Sequence, residues 1–139
     1  MENKNTTFDA QVTASLDMQN YKTVVTAQSK TLIGDEPESL GGQDLGFNPY
    51  ELLSSSLAMC TAATLRMYTE RKGIDLGKID VKVSLKNDTV ANQVFFTKHI
   101  FFEKKDIAED IRKRLMAVAD ACPVNKLLKR EIIIESSLM

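Results

Sequence analysis

From Phe8 to Leu16 apolar and polar residues alternate without a break. Phe8, Ala10, Val12, Ala14 and Leu16 fall on one side, and Asp9, Gln11, Thr13 and Ser15 on the other. A period of two marks a strand with one face covered, so this segment predicts a half-buried strand. Asp17 to Asn20 supplies turn residues. Lys22 to Ser29, with Val24, Val25 and Thr26, predicts the returning strand of a hairpin, which Thr31 to Ile33 extends. Gly34 to Gly46 holds four glycines, Pro37 and four acidic residues and predicts an exposed loop, with Gly41-Gly42 in its flexible part.

The pattern then changes. Asn48-Pro49-Tyr50-Glu51 places a capping residue, a proline at the first helical position and a glutamate in near capping-box spacing, which predicts a helix running to Gly73. No charge lies between Glu51 and Arg66, and Ser54, Ser55, Ser56, Ala58, Ala62 and Ala63 keep the surface small. Such a helix is expected in a central, buried position. Ile79 to Lys86 alternates again, Asn87-Asp88 offers a turn, and Val94 to Phe102 predicts an aromatic-rich strand. A second helix is expected from Asp106, with Glu109 in capping-box spacing and Ile107, Ile111, Leu115, Val118 and Cys122 at helical intervals. Pro123 interrupts it, Val124 to Leu128 predicts a further turn, and Glu131 to Glu135 a final strand through Ile132, Ile133 and Ile134. This order makes an α+β chain, read as a single domain over 1–139.

Composition narrows the function. With 139 residues, 43% hydrophobic and 27% charged, one core suffices without disulfides or metals. Eighteen basic and nineteen acidic side chains leave a formal charge of -1, which lacks the basic excess that nucleic-acid binding draws on. The N-terminus has no apolar leader core, and no uncharged run reaches the roughly 18 residues of a membrane span, so a cytoplasmic chain is expected. In that reducing compartment a permanent bridge between the two cysteines, Cys60 and Cys122, would be unusual.

Each cysteine has a plain packing role beside a chemical one. Cys60 shares a helix face with Leu53, Leu57, Thr64 and Met67, away from Arg66 and too far from the N-terminus for the macrodipole to favour a thiolate. Cys122 precedes a proline. If Pro123 opens a short helical turn, Cys122 caps it, with free backbone N–H groups near its sulfur. Both cysteines lie on apolar helix faces, and two such faces that pack together would bring the sulfurs close. His99, the one histidine, sits in a strand and reads as a surface or packing residue. Two cysteines and one histidine have no ligand-like spacing, so no metal site is expected, and neither a phosphate-cradling glycine loop nor a GxSxG elbow is present. Glu103 to Arg114 reads as the solvated face of the second helix, and Phe95, Phe96, Phe101 and Phe102 as core and sheet packing.

Gly46-Phe47-Asn48-Pro49-Tyr50-Glu51-Leu52-Leu53, running into Leu57-Ala58-Met59-Cys60-Thr61-Ala62 and Arg66-Met67-Tyr68-Thr69-Glu70-Arg71-Lys72-Gly73, resembles the central helix of the OsmC/Ohr family. Ala119-Asp120-Ala121-Cys122-Pro123-Val124-Asn125-Lys126-Leu127-Leu128 resembles that family's second cysteine motif. The resemblance covers nearly the whole chain and implies an intertwined homodimer, with bent antiparallel sheets around two long helices and active sites at the subunit interface. It implies a thiol-dependent peroxidase acting on organic hydroperoxides, an antioxidant enzyme of oxidative stress. Cys60 would be the peroxidatic cysteine, Cys122 the resolving one, and an external dithiol the reductant; no metal, flavin or other cofactor is implied. The alternative is a dimeric binding or redox-sensing protein with little turnover. The hydroperoxide-reducing branch also pairs an arginine of the N-terminal strands with a glutamate early in the central helix. Here no arginine precedes Arg66 and Glu51 stands one place late, which leaves Lys22, Lys30 or a partner's basic residue as the expected cation and fits the broad OsmC-like branch better.

Overall fold

The computed structural model describes residues 8–139; residues 1–7, part of the stretch read for a leader, lie outside the described residues. The chain forms two compact units that divide after Leu52.

In the first unit β1 (Thr13–Leu16), β2 (Thr23–Ala27) and β3 (Lys30–Gly34) form an antiparallel sheet in that order. The first strand is shorter than its pattern, and all four of its residues are exposed, so the half-burial expected from Phe8 onward is absent within the chain. Alternation creates a face that can be covered, but it does not supply the cover.

The loop from Gly34 to Gly46 is more than an exposed tether. Asp35 is only 4% exposed. Its carboxylate accepts backbone N–H bonds from Glu36 at 2.8 Å and from Tyr21, Gln43 and Leu45 at 3.2 Å each. Burial pushes the Asp35 carboxyl up and is the largest single effect, yet the four amides together hold it below the usual carboxylate range. A 3-10 turn at Glu38–Leu40 leads into the glycine pair. A Cβ on Gly42 would collide with the Glu36 carbonyl, so this part of the loop is a close backbone approach, not a flexible one.

Helix α1 (Pro49–Lys72) starts and stops where its local chemistry dictates. The Asn48 N–H donates to Glu51 Oε1 and the Glu51 N–H to Asn48 Oδ1, each at 2.9 Å, a reciprocal capping box. At the far end Gly73 has φ +67°, and the Gly73 and Ile74 N–H groups close onto the Glu70 and Thr69 carbonyls. This Schellman ending needs a residue without Cβ.

In the second unit β4 (Ile79–Asp88) and β5 (Gln93–Phe102) form an antiparallel hairpin. Its turn lies at 89–92 instead of Asn87-Asp88, because Asp88 still pairs with Gln93 and its carboxylate takes the Ala91 N–H at 3.0 Å. Ile79, Val81, Val83 and Leu85 are half-buried, as are Phe96, Ile100 and Phe102. Phe95 and Phe101 take the opposite parity and are exposed, so only half of the aromatic set packs inward.

Helix α2 (Glu109–Asp120) begins later than expected, after Ala108, and no side chain caps it. The Glu103 and Lys104 N–H groups bond to the carbonyls of Lys78 and Leu76, which commits 103–107 to leaving the sheet and keeps Asp106 out of the capping position. Leu65, Tyr68, Leu76, Leu115 and Ala119 form the buried core, with Ile79, Ile100, Phe102 and Ile111 packed against it. Each fully buried leucine contributes roughly 1.5–3 kcal/mol. Helix α1 buries one stripe, Leu57, Thr61, Leu65, Tyr68 and Thr69, while Met59 and Met67 remain exposed; it is not enclosed all round within the chain. A short helix, α3 (Pro123–Leu128), follows. The final strand expected at Glu131 to Glu135 is not formed. Ile132, Ile133 and Ile134 stand exposed, since a strand sequence needs an edge to pair with.

Candidate functional site

Cys122 sits at the N-cap of α3, with extended backbone (φ -63°, ψ 145°) and Pro123 at the first helical position. Its sulfur accepts the Asn125 N–H at 3.4 Å, so the expected capping role is realised with the sulfur itself as the cap. The residue is fully buried. Across from it, on the buried stripe of α1, the Thr61 hydroxyl oxygen lies 3.5 Å from the Cys122 sulfur and 2.8 Å from the Leu57 carbonyl to which it donates. Cys60, the residue before Thr61, is half-buried, and its side chain acts on the Cys122 thiol. Both thiols are free. The apolar stripe expected to carry Cys122 ends with α2 at Asp120, and it is the cap of α3, set against Thr61 of α1, that brings Cys122 to the Cys60 turn. Cys60 is the more accessible of the two rather than a sealed core residue.

A cation completes the cluster, and sequence reasoning did not name it. Lys98 projects from β5 with its side chain only 10% exposed. Its ammonium donates to the Ala119 carbonyl at 2.8 Å and to Thr61 Oγ1 at 3.2 Å, and lies 3.9 Å from the Asp120 carboxylate. The signal was present in the parity of the strand. Phe96, Lys98, Ile100 and Phe102 share the inward side, and a lysine there breaks an otherwise apolar register. Lys22 and Lys30 lie in the first unit. His99 takes the outward parity, opposite Lys82, and is exposed.

The surroundings act on the buried thiol in opposite directions. Burial, the largest effect, pushes the Cys122 thiol up. Hydrogen bonds from the Thr61 hydroxyl, the Asn125 amide and the Cys60 side chain, with the Lys98 charge behind them, outweigh it and leave Cys122 below the ordinary thiol value. A thiol shifted in this sense, next to a second thiol, is equipped for disulfide exchange. Beside the cluster a cavity of about 700 Å³ is lined by Leu53, Phe96, Lys98, Asp120, Asn125 and Leu128 among others, an apolar space whose polar groups flank Cys122. Among the described residues no group of three His, Cys, Asp or Glu is placed to hold a metal ion, and no helix is long and apolar enough to cross a membrane.

Comparison with known proteins identifies the family and the fold. The profile of the family described as OsmC-like protein matches residues 41–137, which include both cysteines. Among solved structures, an osmotic stress induced and detoxification response protein of Psychrobacter arcticus superposes with a TM-score of 0.72 at 22% identity, over 87% of this chain and 88% of that one. An OsmC-like protein of Mycoplasma pneumoniae gives a TM-score of 0.68 at 20% identity, over 88% of each chain. The organic hydroperoxide resistance protein OhrB of Bacillus subtilis gives 0.59 at 22% identity, over 88% of this chain and 91% of that one. At such identities the likeness establishes the α+β fold with its antiparallel sheets. No curated protein matches the chain.

Proposed function

The chain belongs to the OsmC-like family, and from that premise we propose that it is a thiol-dependent peroxidase that reduces organic hydroperoxides. Cys60 is the peroxidatic residue and Cys122 the resolving one. The observation that carries this reading is the meeting of the two cysteines beside the cavity, the accessible one on α1 and the buried one at the cap of α3. The names of solved relatives such as OhrB supply the substrate class.

The chemistry needs only these two sulfurs and a reductant. The Cys60 thiolate attacks the distal peroxide oxygen; an S–O bond forms, the O–O bond breaks, and the alkoxide leaves as an alcohol with a proton from solvent. Cys122 then displaces the oxygen from the Cys60 sulfenic acid to give a disulfide, and an external dithiol restores both thiols. No metal or flavin takes part. The whole chain, 1–139, acts as one domain in a cytoplasmic homodimer. The exposed apolar side chains of β1 and of Ile132 to Ile134 are the surfaces a second copy would cover.

Cys60→Ser should abolish consumption of cumene hydroperoxide with a dithiol, while Cys122→Ser should leave one turnover and a trappable sulfenic acid. Mass spectrometry of the oxidised wild type should find a Cys60 to Cys122 link, and sedimentation should give twice the chain mass. Undiminished turnover by the Cys60 variant would refute the assignment.

A further inference from the structure

We propose that Lys98 is a positioning residue for bridge closure: through the Thr61 hydroxyl it holds the Cys122 sulfur as the thiolate that attacks oxidised Cys60. The inference rests on the reading of the two cysteines as redox partners and adds to it a residue that works through another side chain.

The argument begins with the cost of placing an ammonium where Lys98 lies. A lysine at an inward strand position gives up most of its hydration, so its N–H groups must find partners. Two of those partners have a structural explanation. The last turn of α2 contains no basic residue, and Lys98 supplies a cation there from β5, bonding the Ala119 carbonyl and pairing with Asp120. A helix-end cation needs nothing more. The remaining bond, to Thr61 Oγ1 at 3.2 Å, serves no helix end.

The hydroxyl that receives it is fully subscribed. Thr61 Oγ1 has one hydrogen and two lone pairs. With Cys122 protonated, the hydrogen goes to the Leu57 carbonyl at 2.8 Å, and the lone pairs face the Lys98 ammonium and the Cys122 S–H. When Cys122 loses its proton, the hydroxyl hydrogen turns to the sulfur 3.5 Å away. The Lys98 N–H polarises the hydroxyl and makes it the better donor to a thiolate. The Asn125 N–H donates to the same sulfur from the other side. The charged and titratable groups around Cys122 are Cys60 of α1, Lys98 of β5 and Asp120 at the end of α2. Asp120 opposes the lysine's field, so the hydrogen-bonded route through Thr61 is the principal one.

In the closing step the Cys122 thiolate forms an S–S bond to Cys60 as the Cys60 S–O bond breaks. The Cys122 sulfur is oxidised and the Cys60 sulfur reduced. The hydroxide leaves as water, taking up a proton equivalent to the one Cys122 released to solvent.

In a Cys60→Ser background Cys122 is the one remaining thiol, so the ultraviolet absorbance of its thiolate can be titrated without any peroxide. Lys98→Met should raise the midpoint by about half to one pH unit, and Lys98→Arg should restore it. With both cysteines present, Lys98→Met should slow loss of the second thiol by about 3–10-fold and let the Cys60 sulfenic acid persist. An unmoved midpoint in Lys98→Met, or an arginine variant as damaged as the methionine one, would overturn the proposal. If Lys98→Met does not fold, Thr61→Val carries the same titration with the same two outcomes. A wild type that consumes no peroxide while the midpoint still follows Lys98 refutes the peroxidase reading and upholds the hold of Lys98 on Cys122.

Discussion

At neutral pH Asp35 is charged in both the folded and the unfolded chain, and its four amide bonds count fully toward the fold. Its folded value is depressed, so this contribution is present above the unfolded value and is lost as the pH falls through the folded one. The 35–46 loop is therefore expected to loosen in acid, below the ordinary aspartate value of 3.8. Asp35→Asn carries no charge to titrate and should lose that acid step. Amide exchange at Gln43 and Leu45 followed against pH checks both, and equal protection at neutral and very low pH would contradict them. Asp35 was illegible in the sequence because only Glu36 among its donors is a neighbour, Gln43 and Leu45 returning from the far end of the loop and Tyr21 from outside it, while its neighbours carry the composition of a solvated loop. Cys60 and Cys122 were legible for the opposite reason, since their side-chain chemistry singles them out before any fold is known. Lys98 falls between these cases: its parity among Phe96, Ile100 and Phe102 was visible, but a strand read only for its apolar members passes over the exception.

Elements whose ends are defined by local bonds were read well. The capping box at Asn48 and the glycine at 73 bracket α1 as expected, because every partner lies within a few residues. Asn48→Ala should accordingly cost about 1 kcal/mol, measured by denaturant unfolding, and a midpoint unchanged from wild type would show that the box contributes nothing. Elements that depend on distant partners were read less well. The spacing of Asp106 and Glu109 suits a capping box, yet α2 starts later because bonds from Glu103 and Lys104 to the segment before β4 direct the backbone first. Ile132, Ile133 and Ile134 have strand composition, and no strand edge among the described residues receives them.

For the molecule as a whole, the α+β class could be anticipated, because periodicity reports which faces are apolar and apolar faces pack; Cys122, expected to end the stripe of the second helix, instead caps α3. What periodicity leaves out is the polar wiring between them. One feature of that wiring extends beyond the thiols. The sulfur of Cys122 is also the cap of α3, and α3 contributes Asn125 and Leu128 to the wall of the neighbouring cavity. Bridge formation would replace the capping sulfur of Cys122 with a poorly accepting disulfide sulfur, so the Asn125 amide would lose its partner on oxidation of the pair. The Asn125 amide resonance should therefore move between reduced and oxidised protein; an unchanged resonance would disconnect the helix from the chemistry. Reduced and bridged forms of the chain would then differ in how firmly one side of the cavity is pinned.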